Sequence, residues 1–198
     1  VTWVALWIAC RQLDALLRRR VAAVVLIASA GEVLGSIVLG LYAYRRGGIP
    51  LFVPPGHGLV YLAGHHLSRS VLMSRLRSGT VLVIAAAAVG WALFGLLAGP
   101  RPDVAGALAM LAFLACLWRG PDPGLFAGMF VVAAALELYG TAMGAWTWIP
   151  EWPGLGLPAG NPPSGAVAGY CLFDALALRL ASLRPLAGRL RLRDRIRT

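Results

Sequence analysis

The sequence predicts an all-α fold, a polytopic bundle of six or seven transmembrane helices, on three observations. Charge is scarce: 13% of the 198 residues are charged against 59% hydrophobic, with mean hydropathy +0.75. A soluble domain carries about 25% charged residues. Long apolar runs alternate with short Arg-rich or Pro/Gly-rich breaks, and a helix needs about 20 apolar residues to cross a hydrocarbon core of about 30 Å. Finally, the arginines concentrate on one set of alternate connections, as the positive-inside rule requires of a multi-pass chain.

Apolar runs lie at 1–17, 21–44, 55–73, 80–98, 104–118, 125–148 and 165–180. The first is continuously apolar only up to Arg11, Gln12 and Asp14, and reads as a truncated span or an interfacial helix. The second and sixth each carry an acid near the middle and end on paired aromatics. The third is polar for a span, holding His57, His65, His66 and Arg69. The fourth is featureless. Between the last two runs, a Pro-rich connection with Asn161 is long and rigid enough to cap the bundle or dip into it, which irregular backbone does only where protein or water covers it. Residues 1–182 thus form one transmembrane domain, and 183–198 a basic tail. All arginines except Arg45, Arg46 and Arg101 fall on the connections that share a side with the C-terminus. The expected topology is therefore a multi-pass protein of the cell inner or plasma membrane with a cytoplasmic C-terminus.

Net charge is +10, with all 18 basic residues arginine. They sit between apolar runs and in the tail, a pattern that suits anionic lipid headgroups rather than nucleic acid. The expected partners are membrane lipids and a hydrophobic small molecule, with no nucleic acid; a homo-oligomer or a membrane-complex partner stays open. Cys10, Cys116 and Cys171 all fall inside apolar runs, which argues against a disulfide framework and a Cys-x-x-Cys metal site. Arg18, Arg19 and Arg20 follow the first apolar stretch instead of preceding it, so no secretory signal is expected.

One passage occurs twice. The first copy runs Glu32, Gly35, Ser36, Gly40, Tyr42, Tyr44, Pro50 and Pro54-Pro55-Gly56-His57-Gly58. The second runs Glu137, Gly140, Thr141, Gly144, Trp146, Trp148, Pro158 and Pro162-Pro163-Ser164-Gly165. Each reads as a membrane acid, a small residue one turn on, paired aromatics, a Pro-rich connection and another span. Aligning the double prolines sets His66 opposite Asp174. Repeat units at about 1–74 and 104–182, joined by a linker helix at 80–99, give a 3+1+3 arrangement. An odd linker keeps both units in the same orientation, related by an axis along the membrane normal.

The central acids point to chemistry. Burying Glu32, Glu137 and Asp174 at mid-membrane costs about 2.5–3.5 kcal/mol each on insertion scales, so the carboxyls should face the bundle interior with partners. The bland alternative is interhelical glue, at about 0.6 kcal/mol per hydrogen bond, for which Ser, Thr or Asn are cheaper. The candidate catalytic residues are Glu32, Glu137, Asp174 and His66; the candidate substrate-binding residues are Tyr42, Trp146, Trp148, His57 and Asn161. The ordinary reading of Trp146, Trp148 and Trp152 is an aromatic belt at the interface; the sharper one is a set of π-faces stabilising a cation near Glu137. His57, His65 and His66 do not share a helix face, so no metal is predicted, and no cofactor. The Gly31/Gly35, Gly124/Gly128, Gly140/Gly144 and Gly165/Gly169 spacings read as close helix packing.

The string Glu137-x-x-Gly140-Thr141-x-x-Gly144-x-Trp146-x-Trp148, with its partner from Glu32 through Tyr42 and Tyr44 to Gly48-Ile49-Pro50 and Pro54, resembles the small membrane proteins of carotenoid biosynthesis, the carotenoid hydratases and heterodimer-type lycopene cyclases. It departs from them at 54–58 and 161–165. The resemblance implies acid–base chemistry on a polyene without a redox cofactor: hydration, cyclisation or isomerisation of an isoprenoid. Two other classes remain open, a small-solute or proton-coupled transporter built from two three-helix repeats, and an accessory subunit of a membrane complex.

Overall fold

Helix starts in this chain are written by aspartates. The computed structural model describes residues 1–75 and 77–182; the basic tail 183–198 lies outside the described residues. Helix α1 (Thr2–Arg11) is followed by α2 (Ala15–Glu32), where Asp14 accepts the N–H groups of Leu16 and Leu17, both at 2.8 Å. Asp103 and Asp122 cap α6 (Val104–Arg119) and α7 (Pro123–Ala142) in the same way. Each carboxylate satisfies a first-turn donor that has no partner within its helix. Helix α3 (Val53–Ser68) has Pro54 and Pro55 in its first turn, where a missing N–H costs nothing. Short α4 (Val71–Arg75), α5 (Arg77–Leu97) and α8 (Ala166–Ser182) complete the helices of the described residues.

The fold is mostly helical, and three helices are long and apolar enough to cross a membrane: 24 residues at Ala15–Val38, 20 at Ser78–Leu97 and 20 at Pro123–Ala142. The other expected spans form shorter helices. α3, α6 and α8 hold 16, 16 and 17 residues, and α1 only 10, about 15 Å of helix. Helix α2 packs on α3 and α8, α3 on α7, and α6 on α5 and α8. Tyr61, Phe113, Leu117 and Phe126 are fully buried at the centre, while Leu26, Leu82, Val83 and Leu111 point outward. An apolar exterior around a packed core is the surface a bilayer solvates.

The runs 21–44 and 125–148 are not continuous helices. The first passes from α helix into a π-helical segment, Val33–Val38, and stops; the second stops at Ala142. Gly40 (φ 62°) and Gly144 (φ 64°) then reverse the chain in the left-handed region that only glycine enters freely. Two short strands follow, β1 (Tyr42–Tyr44) and β2 (Trp146–Trp148), and they pair antiparallel: Tyr42 with Trp148, Ala43 with Thr147, Tyr44 with Trp146. The aromatic pairs expected at the ends of spans therefore fold back over the helices that precede them. Gly35 and Gly140 leave room for this, since a side chain at Gly35 would meet the Tyr42 ring and one at Gly140 the Trp146 ring.

Beyond β2, a second ladder of β3 (Glu151–Trp152) and β4 (Leu157–Pro158) shapes the Pro-rich connection. Asp103, only 2% exposed, fastens it: Oδ1 accepts Gly106 N–H (3.1 Å) and Gly160 N–H (2.8 Å), and Oδ2 accepts Ser164 N–H (2.6 Å). Of the glycine pairs, Gly31 abuts Phe173, Gly128 the backbone of α3 at Gly64, and Gly165 the backbone of α6 at Gly106. These are close helix contacts, whereas Gly35, Gly140 and Gly144 serve the reversals.

Candidate functional site

Where the two reversals meet the bundle, α2, α3, α7, α8 and the β1–β2 ladder enclose a cavity of about 290 Å³. Its walls are mainly apolar and aromatic, among them Leu41, Phe52, Val60 and Phe173, and both Glu32 and Glu137 open onto it. A few polar groups converging in an apolar pocket is the usual form of a small-molecule site.

Each carboxyl is held by three side chains. Glu32, 7% exposed, accepts the Tyr42 and Tyr44 hydroxyls on Oε2 at 2.8 and 2.6 Å, and its Oε1 lies 2.8 Å from His57 Nε2. Glu137, 3% exposed, accepts the Trp146 and Trp148 indole N–H groups on Oε2 at 3.0 and 3.1 Å, and the Tyr170 hydroxyl on Oε1 at 3.0 Å. The plan is the same twice over: two aromatics from the following strand and one ring from the next helix. The chemistry differs. An indole N–H only donates, so Glu137 Oε2 serves as an acceptor in this arrangement. Glu32 faces two hydroxyls and an imidazole, each of which both gives and takes protons. Three hydrogen bonds to each carboxyl offset part of the cost of placing an acid in apolar surroundings.

The rings also pack on one another. Tyr42 and Trp148 lie 4.7 Å apart between centroids, Tyr44 and Trp146 6.3 Å, and His57 and Tyr170 5.3 Å. Trp146 and Trp148, expected as an interfacial belt, thus direct their N–H groups to Glu137 and line the cavity.

Six of the nine candidate residues line this cavity: Glu32, Glu137, Tyr42, Trp146, Trp148 and His57. The other three are elsewhere. His66 is exposed, nine residues or roughly 13 Å along α3 from His57. Asn161 is also exposed, and its Oδ1 accepts the Trp148 backbone N–H at 3.0 Å, bracing β2 from outside. Asp174 is 2% exposed but lies one turn past Tyr170 on α8, outside the lining. Tyr44 and Tyr170 were missed as site residues. The signal for Tyr170 was a lone hydroxyl in the middle of an apolar run, a group that needs a partner there.

Among the described residues no group of three His, Cys, Asp or Glu side chains is placed to hold a metal ion. The Glu32–His57 pair offers two donors at most. No protein-family model, curated protein or solved structure matches the chain.

Proposed function

We propose that this protein is a lipid-phase enzyme that moves protons at carbon–carbon double bonds of an isoprenoid or carotenoid-like substrate. The observation that carries the reading is the pair of carboxyls opening onto one apolar, aromatic-walled cavity in a chain with membrane-spanning helices. In this mechanism the Glu32–His57 pair delivers a proton to one alkene carbon, leaving a carbocation on its neighbour. The Trp148 and Tyr42 faces and the Glu137 carboxylate stabilise that charge. Glu137 then takes a proton, either from a water that has added to the cation or from an adjacent C–H as a new double bond forms. Hydration, cyclisation and isomerisation differ only in what quenches the cation.

The architecture that serves this site is a bundle of six or seven spans built from two three-helix units, α1–α3 and α6–α8, around the linker α5, with the short α1 a truncated span or an interfacial helix and the C-terminus cytoplasmic. Its support is the symmetry of the contacts. Helix α2 meets α8 as α7 meets α3, α1 meets α3 as α6 meets α8, and β1 and β2 pair about the Ala43–Thr147 centre. Glu32 and Gly40 are eight residues apart, Glu137 and Gly144 seven; the π-helical Val33–Val38 absorbs the extra residue in the first copy.

Expression in a carotenoid-producing host, with pigments and general isoprenoids profiled, tests the function. A new hydroxylated, cyclised or isomerised product that disappears in Glu32→Gln and Glu137→Gln is expected. Unchanged pigments and isoprenoids with the wild-type protein would sink it. The two-fold placement of the acids also suits a proton-coupled carrier, and uptake into proteoliposomes that follows pH and is lost in Glu137→Gln would favour that second reading.

A further inference from the structure

Below the cavity, a second set of buried polar atoms lacks partners. Tyr61 Oη on α3 and Asp174 Oδ2 on α8 make no hydrogen bond, and these residues are 0% and 2% exposed. His65 Nδ1 on α3 and Arg20 Nε on α2 are likewise buried and unpartnered. A buried polar atom left unsatisfied costs about 1–3 kcal/mol, so four in one region call for a common explanation.

Their spacing supplies one. His57, Tyr61 and His65 on α3 and Arg69 at its C-cap follow at four-residue steps, each a rise of about 6 Å along the helix. Tyr170 and Asp174 repeat the step on α8. Tyr61 lies within electrostatic reach of Asp174 from α8, and its hydroxyl lies close to the Arg20 guanidinium from α2. His65 stacks on Tyr61 with centroids 6.2 Å apart and senses Arg20, His66, Arg69 and Asp122. Among the described residues, Cys171, and Cys116 on α6, which also senses Arg179, are further titratable groups near Asp174. The series ends where Arg69 donates to Asp122 at 2.6 Å, beside a smaller cavity of about 130 Å³ lined by Ser68, Arg69 and Thr80. Tyr61, His65 and Asp174 make no direct hydrogen bond to one another, and a bridging water, which makes two, is the group that would join them.

We infer that α2, α3 and α8 enclose a file of internal water, bounded by Tyr61, Asp174, His65 and Arg20, that carries protons between the carboxyl cavity and the Arg69–Asp122 end of the bundle. This deepens the proposed function, since it would resupply the Glu32–His57 pair from the side opposite the β1–β2 ladder. Buried waters in proteins make about three hydrogen bonds each to such atoms.

The test is made on the full-length protein in lipid nanodiscs, without substrate. Radiolytic hydroxyl-radical footprinting labels side chains next to bound water, so Tyr61 and Cys171, both 0% exposed, should be modified in the wild type. In D2O, the protonated-carboxyl stretch of Asp174, assigned by its loss in Asp174→Asn, should exchange readily. Tyr61→Phe removes only the buried hydroxyl and keeps the ring that stacks on His65. It should slow that exchange at least about tenfold, the equivalent of one hydrogen bond. Unlabelled Tyr61 and Cys171, or exchange indifferent to Tyr61→Phe, would overturn the file. Either failure leaves the pigment assay untouched, and an unchanged pigment profile leaves the file standing, so the two readings fail separately.

Discussion

Replacing Glu137 separates its role as an acceptor from its role as a charge. Glutamine keeps a carbonyl oxygen for the Trp146 and Trp148 N–H groups, and the Tyr170 hydroxyl can rotate to accept from the new amide. Leucine matches the volume and strands all three donors. The reference state is an inserted α7, so the insertion cost of the acid is common to both states and drops out of the comparison. Three hydrogen bonds, two from strand β2 and one from α8, set a floor near 2 kcal/mol if each is given the interhelical value of about 0.6 kcal/mol. Orphaned buried donors at about 1–3 kcal/mol each raise it, and partial access to the cavity limits the rise, so about 2–5 kcal/mol is expected for Glu137→Leu and under about 1 kcal/mol for Glu137→Gln. Equilibrium unfolding in mixed micelles, followed by tryptophan fluorescence, measures both. Neither variant carries a negative charge, so both should lose the proposed chemistry while only one loses stability. A Glu137→Leu protein as stable as Glu137→Gln would refute the idea that this carboxyl organises the β2 aromatics.

Asp103→Ala should free the Pro-rich connection by orphaning the Gly106, Gly160 and Ser164 N–H groups; at about 1.5–3 kcal/mol per bond to a charged acceptor, cleavage within 150–160 under limited proteolysis should rise sharply. Gly140→Ala places a methyl against the Trp146 ring and should cost about 1–3 kcal/mol in the same unfolding assay, with Gly35→Ala milder because the nearest Tyr42 atoms lie 3.1–3.5 Å from the added carbon. The Asp14 carboxyl is held below its ordinary range, first by the Leu17 N–H and further by that of Leu16 and by Arg20 and Arg18. Its cap is therefore at full strength above the unfolded carboxylate pKa and fades as pH falls through the lowered folded value, so amide exchange at Leu16 and Leu17 should accelerate in acid, and Asp14→Asn should flatten that response. Single cysteines at Ser182 and Glu151, in a cysteine-free background, should label from opposite faces of intact inside-out and right-side-out vesicles; labelling from one face would refute the topology.

Much of the bundle is written in composition and order. Apolar run length, the scarcity of charge and the arginine bias follow from what a bilayer tolerates, and each is a property of the chain read linearly. Glu32 and Glu137 stand out for the same reason, because an acid in an apolar run is costly wherever it ends up. What linear reading lacks is direction. The aromatics looked like the last turn of a span because Tyr42, Tyr44, Trp146 and Trp148 continue the hydropathy of the helices before them; Gly40 and Gly144 turn them back, and backbone dihedrals leave no trace in hydropathy. Asp103 and Asp122 carry no weight in a reading by hydropathy and arginine bias, although an acid before an apolar run is a cap signal.

The sequence alone determined the solvent of this protein and the rank of its acids. Tertiary structure decided which of them share a chamber. His66 and Asp174, paired by alignment, end on an exposed face and in a separate buried layer, while Tyr170 arrives from α8 to complete the Glu137 site. The reason is that a hydrogen-bonded carboxyl is satisfied by partners about 3 Å away in space, and for Glu137 one of these is Tyr170, 33 residues distant on another helix, which helix packing and not chain order brings to it.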